Sequence, residues 1–428
     1  MLAVLVAAGM PLGGRALTLP SIDRVADDFR SSNKHLEEMF RAALLDTSHL
    51  AQYAPDGTAY VVTGDIPAEW LRDASAQVRP YLFFAKNDPD VRRMIRAIIA
   101  RMARYIVIDP YANAFTLDYH VWERKFELDS LAYPVTLAWS YWQTTGDTSI
   151  FDAQFSQALD AVLATMEREQ DHAKLSSYTQ PELADGGKGR PVGYTGMIWT
   201  GFRPSDDACY YDYLIPDEMF AVVALGDIAQ IELQVYHNVI KAHEATALRD
   251  EVQRGIQTYG LVWVPKYGYV YAYEVDGLGH AILTDDANIP SLLSAPYIGY
   301  TSPDDPYYLN TRRFILSQDN PSFYVGKYAE GIGSFHTPDH WIWPLAIIMQ
   351  GLTTTSPMEK EEVLKELLAS DPGDHLLHES FDPDDPQHYT RVDFGWPNAL
   401  FSEFVLTSFE GVPEIPFGET SDLKFRSE

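Results

Sequence analysis

Cysteine, basic residues and long apolar runs are scarce in this chain, and each scarcity excludes a class of protein. Cys209 is the one cysteine among 428 residues, so the chain has no internal disulfide and no cysteine metal cluster. Lys and Arg number 32 against 61 Asp and Glu, which gives a formal net charge of −29. Such a surface repels a phosphate backbone and argues against nucleic-acid binding. No apolar run is long enough to span a bilayer.

Several common signatures are also missing. Neither the H-E-x-x-H pattern of zinc peptidases nor the G-x-S-x-G pattern of serine hydrolases occurs. The chain has no regular alternation of strands and helices and no internal repeat, which argues against a doubly wound sheet and a solenoid. Residues 1–20 hold a short apolar run without a preceding basic segment. They are read as a poor signal-like or disordered N-terminus.

Helical periodicity dominates what is present, and 46% of the residues are hydrophobic, enough for a large core. Apolar residues recur at helical spacing in Ile22–Leu45, Asp90–Ile108 and Phe151–Met166. Further helices are predicted at Glu69–Phe84, Asp129–Thr145, Asp217–Leu233, Asn238–Tyr259, Trp341–Leu352, Met358–Leu368 and Asn398–Thr407. The one strand signal is a short hairpin within Trp263–Val275. We therefore expect an all-α fold with one domain over residues 21–428, in which helix hairpins form a ring. Long loops and the short β-hairpin should form the functional face at one end of the ring.

The loops between these helices share an unusual chemistry of carboxylates, Trp, Arg and Asn. Taken singly, each has an ordinary explanation: Arg72 and Asp73 as a solvated ion pair, Trp70 and Trp122 as core residues. Six loops nevertheless repeat the mixture. Sugar sites need this mixture, with polar groups for hydroxyls, aromatic faces for rings and two carboxyls for hydrolysis. The loops are Thr63–Gln77, Trp122–Asp129, Trp199–Asp207, Tyr273–Asn288, Gly331–Trp343 and His375–Phe381.

Two further patterns in these loops resemble metal-binding patterns, but neither is complete enough to predict a metal site. Asp285, Asp286 and Asn288 match part of a calcium loop, but the remaining ligand spacing is missing. His336 fits a hydrogen-bonded loop histidine better than a metal ligand. We therefore expect no metal and no cofactor.

The stretch 201–208, GFRPSDDA, places Asp206 and Asp207 side by side after a Ser. Two like charges in a partly buried site do not both ionise at low cost, so one carboxyl can stay protonated and act as a proton donor. The same Ser-Asp-Asp tripeptide is also typical of a helix N-cap. Side chains of adjacent residues diverge, so only one of the two aspartates can reach a given bond.

Seven motifs in order make the chain recognisable: TGDIPAEWLRDASAQVRPYL, WERKFELDSLAYP, GFRPSDDA, EVDGLG, DDANIPSLL, GIGSFHTP and HESF. Together they resemble glycoside hydrolase family 125, the exo-acting α-1,6-mannosidases of bacteria and fungi. The resemblance runs from about Ser21 to about Phe409. It implies an (α/α)6 barrel, an inverting mechanism, no metal, and a mannose-containing oligosaccharide or glycan as partner.

The resemblance also implies residue roles. The general acid maps best on Asp206, with Asp207 as the less favoured candidate, and the general base on Glu379. The resemblance places a further set of residues around the sugar. These are Asp65, Trp70, Arg72, Asp73, Glu123, Arg124, Arg203, Asp207, Asp286, Asn288 and His336.

Two other functions compete with hydrolysis. A sugar phosphorylase on the same fold needs a phosphate site, and no Gly-rich loop or Arg/Lys cluster indicates one. A glycan-binding protein would be favoured if Asp206 or Glu379 were missing, and both are present.

Overall fold

The computed structural model describes residues 15–410. Local capping chemistry determines where its helices begin. The side chains of Asn33, Asp88 and Asp152 each accept backbone N–H groups of the first helical turn that follows. The helices are α1 (Pro20–Asp28), α2 (Lys34–Leu50), α3 (Leu71–Val78), α4 (Leu82–Ala85), α5 (Pro89–Ile108), α6 (Asp129–Thr145), α7 (Ala153–Glu169), α8 (His172–Leu175), α9 (Ala184–Gly187), α10 (Ile215–Gln234), α11 (Val239–Tyr259), α12 (Pro306–Ile315), α13 (Pro344–Leu352), α14 (Pro357–Ala369) and α15 (Gly395–Ser408).

The helices form two layers, one of helices that are buried on most sides and one of helices with a buried and an exposed face. Helices α3, α6, α10, α13 and α15 are buried along most of their length, and successive members pack side by side from α13 through α15, α3 and α6 to α10. The amphipathic helices α2, α11 and α14 cover α15, α10 and α13, and α5 packs on α6 and α7. Between α11 and α12, residues 284–300 are largely buried without forming a helix. The helices thus form an inner and an outer layer.

Short strands occupy the loops that join the helices. They pair only into two- and three-stranded antiparallel sheets among the described residues, so the loops are stiffened without a central sheet. The strands are β1 (Arg15–Ala16), β2 (Ala51–Tyr53), β3 (Ala59–Val61), β4 (Glu69–Trp70), β5 (Ala114–Phe115), β6 (Val121–Glu123), β7 (Tyr213–Leu214), β8 (Leu261–Val264), β9 (Gly268–Tyr271), β10 (Glu274–Val275), β11 (Ala281–Ile282), β12 (Phe323–Val325), β13 (Glu330–Ile332), β14 (Phe381–Asp382) and β15 (Asp385–Tyr389).

The structure confirms the mostly helical prediction and the hairpin, which is β8–β9. Several predicted boundaries differ from the observed ones, as at Trp341, where the helix begins at Pro344, and two of the differences have a clear local reason. The helix predicted over Ile22–Leu45 is interrupted, because the backbone of Phe29 is extended after α1 and Asn33 caps a new helix. The helix predicted from Glu69 begins two residues later, because Glu69 and Trp70 pair with β5.

One continuous hydrophobic core runs from Leu17 to Leu406, and this continuity supports our proposal that residues 21–428 form a single domain. Most of the signal-like stretch 1–20 lies outside the described residues, as do residues 411–428. None of the helices in the described part of the chain combines the length and apolar character of a membrane span. Cys209 is buried.

Candidate active site

A cleft of about 570 Å³ opens among the loops that carry the predicted motifs. Its walls combine carboxylates, cations and aromatic rings, the mixture that the sequence concentrates in these loops. The lining residues are Thr63, Ile66, Trp70, Arg72, Asp73, Trp122, Glu123, Lys125, Pro204, Ser205, Asp206, Asn288, His336, Trp343, Glu379, Arg391, Phe394 and Trp396. The β8–β9 hairpin, predicted on this face, contributes none of them.

A tight turn aims Asp206 into the cleft. The backbone N–H of Asp206 donates to the Arg203 carbonyl at 2.9 Å, and the Arg203 N–H donates to the Asp207 carbonyl at 2.8 Å. Asp206 has a φ of 67°, in the left-handed region that few residues other than Gly adopt. No helix begins at this turn, so Ser205–Asp207 is not a helix N-cap.

The two adjacent aspartates face different partners. Asp206 Oδ1 accepts hydrogen bonds from Arg72 Nη2 at 3.2 Å and Asn113 Nδ2 at 3.1 Å. Asp207 Oδ2 accepts from Ser205 Oγ at 3.1 Å and lies 3.5 Å from His336 Nδ1. Asp206 lines the cleft and Asp207 does not, so the geometry separates one candidate acid from the other.

A buried group of acids surrounds Arg72 behind Asp206. Arg72 Nη1 donates to Glu127 Oε2 at 2.6 Å, and Arg72 nitrogens lie 3.4 Å from Asp73 and 3.5 Å from Asp129. Burial raises the pKa of Asp73 to about 6 and that of Asp129 to about 7, although Arg72 opposes both shifts. Arg72 and Asp73 are therefore a buried pair and not the solvated pair of the ordinary explanation.

Glu127 and Asp206 accept hydrogen bonds from the same two donors, Arg72 and Asn113, so the two carboxyls are close neighbours and do not both ionise at low cost. Burial raises the pKa of Glu127 well above its usual range, despite Arg72. Burial also opposes ionisation of Asp206, but the interactions with Arg72 and Glu127 outweigh it and lower the pKa of Asp206. Of the two carboxyls, Glu127 is therefore the one that holds a proton more readily.

Glu379 is held at the cleft by the segment that follows it. Ser380 and Thr390 hydroxyls are 2.7 Å apart, and the backbone N–H of Ser380 donates to Thr390 Oγ1 at 3.0 Å. His378 stacks on Tyr389 with ring centroids 3.7 Å apart. Burial raises the pKa of Glu379, and the charges of Arg391 and His336 oppose this. A carboxylate with a raised pKa is a stronger base for activating water.

His336 carries charge between the two candidate catalytic groups. The hydrogen bond with Asp207 raises the pKa of His336 to about 8, burial opposes this, and the charges of Asp207, Glu379 and Asp206 add to it. His336 is therefore mostly protonated at neutral pH. Its charge interacts with the carboxylates of Asp207, Glu379 and Asp206.

Five predicted sugar-binding residues do not line the cleft, and one of them is Asp207, described above. Asp65 accepts from Arg391 Nε at 2.8 Å, and Arg203 donates to Glu274 Oε1 at 2.6 Å. Arg124 donates to Asp109 at 2.6 Å on the outside. The remaining residue is Asp286.

Asp286 supports Asn288 and does not form a calcium loop. It accepts from Asn288 Nδ2 at 2.9 Å and from Ser334 Oγ at 2.8 Å. Asp285 accepts the backbone N–H groups of Leu292 and Leu293. Both carboxylates of the partial calcium pattern are thus used internally.

Sequence reasoning missed several residues of the cleft. Arg391 follows the Asp-rich residues 382–385, outside the recognised motifs. Asn113 and Glu127 do not line the cleft but contact residues that do. Lys125 belongs to the WERKFELD motif, and its Nζ lies 3.2 Å from Glu123. Its charge within that motif was the signal that could have identified it. Trp122 is 48% exposed at the cleft, so its core interpretation was wrong. An aromatic residue among charged neighbours on a short loop strand was the available signal.

The family model described as metal-independent α-mannosidase (GH125) matches residues 32–120 and 117–406. This match covers most of the chain. The chain belongs to glycoside hydrolase family 125. The resemblance drawn from the motifs is thereby confirmed, and the protein is a glycosidase.

Individual relatives agree with this membership. A family 125 α-mannosidase structure from Streptococcus pneumoniae, described as a non-productive substrate complex with α-1,6-mannobiose, is 42% identical with a TM-score of 0.87, covering 91% of this chain and 97% of that one. The meiotically up-regulated gene 157 protein of Schizosaccharomyces pombe is 35% identical, covering 92% of this chain and 87% of the relative.

A more distant structure bears on the fold alone. A bacterial glucoamylase complexed with acarbose has a TM-score of 0.65 at 13% identity and covers 88% of this chain and 56% of that one. With the family 125 structure, this likeness confirms the (α/α)6 barrel for the family 125 chain.

Proposed function

We propose that the protein is an exo-acting, inverting α-1,6-mannosidase that removes terminal mannose from oligosaccharides or glycans. Family membership supports the α-mannosidase activity. The α-1,6 linkage is supported by the disaccharide in the Streptococcus pneumoniae relative, which shares 42% of its sequence with this chain. The observation that carries the proposal is that Asp206 and Glu379, from separate loops, line one cleft.

Asp206 is the general acid in this proposal. It is the aspartate of the GFRPSDDA turn that reaches the cleft. Glu127 accepts from the same donors and has a raised pKa, and in this proposal the two carboxyls share a proton. During bond cleavage negative charge develops on the leaving oxygen, and Asp206 protonates it while drawing on the Glu127 proton. A coupled pair titrates as a unit, so the two residues together form the acid.

Glu379 is the general base. In an inverting hydrolase the base activates a water on the face of the sugar opposite the acid. The raised pKa of Glu379 increases its basicity, and the protonated His336 stabilises the carboxylate. Trp70, Trp122, Arg72, Asp73, Glu123 and Asn288 provide ring faces and hydrogen-bonding groups for the sugar.

A phosphorylase is a weaker alternative, because each cation of the cleft lining already has a carboxylate partner. Arg72 contacts Asp206, Lys125 contacts Glu123, Arg391 contacts Asp65 and His336 contacts Asp207. Phosphate would have to displace one of these partners.

The decisive assay measures free mannose released from α-1,2-, α-1,3- and α-1,6-mannobiose, with and without phosphate. We expect release from the α-1,6 disaccharide that does not depend on phosphate. Proton NMR during the first minutes should show β-mannose before mutarotation. Early α-mannose would rule out inversion, and mannose 1-phosphate would identify a phosphorylase. Binding without cleavage would identify a glycan-binding protein.

A further inference from the structure

Three metal-ligating atoms meet outside the cleft lining. His35 Nε2 lies 2.6 Å from Asp371 Oδ2, and His375 Nδ1 lies 3.3 Å from the same oxygen. All three atoms are within 4.8 Å of one another. Tetrahedral zinc with bonds of about 2.0–2.1 Å separates its ligand atoms by about 3.4 Å. Side-chain shifts of about 1 Å would therefore seat one ion.

The carboxylate of this trio is held in place by the backbone. Asp371 Oδ1 accepts the N–H of Gly373 at 2.7 Å and the N–H of His375 at 3.0 Å. The Asp371 side chain is 1% exposed. With Oδ1 occupied, Oδ2 is left facing both imidazoles. Metal-ligating carboxylates are commonly fixed in this way by hydrogen bonds to their second oxygen.

His375 offers the second sign of a ligand. Its Nδ1 atom is shielded from solvent and makes no hydrogen bond to any described residue, although Asp371 Oδ2 is near. A buried nitrogen without a hydrogen bond costs free energy, and a metal ion would remove that cost. Its other nitrogen, Nε2, lies 3.8 Å from Glu38 Oε2. A carboxylate behind a ligating histidine favours the tautomer that leaves Nδ1 free to bind.

We propose that His35, Asp371 and His375 form a structural binding site for one divalent transition-metal ion, with zinc as the fitting ion and water as a fourth ligand. Two imidazoles and one carboxylate suit zinc better than magnesium or calcium. The ion would join the start of α2 to residues 371–375, four positions before Glu379. None of the three ligands lines the cleft, so the hydrolysis itself stays metal-independent.

The first test titrates the full chain, freed of metal with a chelator, with zinc chloride in a calorimeter. We expect one zinc ion per chain and a higher melting temperature. His35→Gln and His375→Gln should each weaken binding by at least about 100-fold, because even outer-shell partners contribute about 10–100-fold. His120→Gln is the matched control. His120 Nδ1 lies 3.0 Å from Asp118, an exposed His–Asp pair outside any trio, so this variant should bind zinc like the parent.

A second test needs no variant. The His35 and His375 side chains are 38% and 40% exposed, so diethyl pyrocarbonate can reach them. Zinc should protect these two histidines, but not His120, when the modified sites are mapped by mass spectrometry. Absence of stoichiometric zinc binding, or protection elsewhere with His35 and His375 still reacting, would overturn the proposal.

Discussion

Glu127 and Asp206 accept hydrogen bonds from the same two donors, Arg72 and Asn113, and the pKa of Glu127 is raised while that of Asp206 is lowered. The partner of the candidate acid is thus a residue 79 positions away and not the adjacent Asp207. Glu127 is 1% exposed, so solvent has little direct access to its carboxyl. This relationship predicts that Glu127 controls the protonation of the acid.

Glu127→Gln should impair the acid without removing it. The amide has no proton to transfer and can donate an N–H to the Asp206 carboxylate, which lowers the pKa of Asp206. The alkaline limb of the kcat profile on α-1,6-mannobiose should therefore move to lower pH, and kcat should fall by up to about 10²-fold, at the lower end of general acid catalysis.

Ser130→Ala is the control for this variant. It removes the hydroxyl that donates to Glu127 Oε2 at 3.0 Å but keeps the shared proton, so the alkaline limb should stay in place. An unmoved limb in Glu127→Gln, with equal losses on every substrate, would show that Glu127 only supports packing.

Asp206→Asn should abolish cleavage of α-1,6-mannobiose, with a loss of about 10²–10⁴-fold from acid catalysis. It should retain more activity on an aryl α-mannoside whose leaving group needs little protonation. Glu379→Gln should reduce the cleavage rate of both substrates by a similar factor, because water must still be activated.

Asp207→Asn serves as the matched comparison, since Asp207 contacts Ser205 and His336 and not the cleft. It should lower stability or affinity without dependence on the leaving group. Leaving-group dependence in Asp207→Asn and not in Asp206→Asn would reverse the assignment of the two aspartates.

The sequence was sufficient for the helical barrel and for the cleft walls that lie in recognised motifs, because periodicity and motif order report local structure. It was insufficient for partners that only folding brings together. Nothing near Asp206 in sequence indicates Glu127 or Asn113, and Arg391 reaches Asp65 across 326 positions. Arg124 and Lys125 are neighbours in one motif, yet only Lys125 lines the cleft. Which of two adjacent side chains faces the site depends on strand register and loop geometry.

Arg391→Gln and Asp65→Asn should move the pKa of Glu379 in opposite directions. The charge of Arg391 lowers this pKa and that of Asp65 raises it. The base acts only when ionised, so the acidic limb of the kcat/KM profile should move to higher pH in Arg391→Gln and to lower pH in Asp65→Asn. Initial rates from pH 3 to pH 8 locate the acidic limb of the profile in each variant. Shifts of the same sign in the two variants would contradict Glu379 as the base.

Trp122→Ala should weaken substrate binding while leaving the fold intact. Trp122 is 48% exposed beside the cleft, so truncation removes a sugar-stacking face with little core. We expect KM for α-1,6-mannobiose to rise roughly fivefold, equivalent to a loss of about 1 kcal/mol, with an unchanged melting temperature. Trp263→Ala is the control, since Trp263 is 61% exposed on β8 and does not line the cleft. A similar rise in KM for both variants would argue against a binding role for Trp122.

Buried acids should make the fold less stable as the pH rises from 5 to 8. Burial raises the pKa of Asp46, Glu69, Asp212 and Asp285 to about 8 each, whereas these groups titrate near pH 4 in an unfolded chain. Between about pH 4 and pH 8 the unfolded state therefore loses these protons first. Stability present at low pH is lost as the pH rises toward the folded pKa.

Glu69→Gln tests this on one group. Glu69 Oε2 accepts the N–H of Val61 at 2.9 Å, and the carboxamide oxygen of Gln can accept the same bond without titrating. The decline of the unfolding midpoint in urea from pH 5 to pH 8 should therefore be shallower in Glu69→Gln than in the parent. Asp118→Asn, at an exposed carboxylate with a lowered pKa, should leave that slope unchanged. An unaltered slope in Glu69→Gln would mean that Glu69 is already ionised in the folded protein.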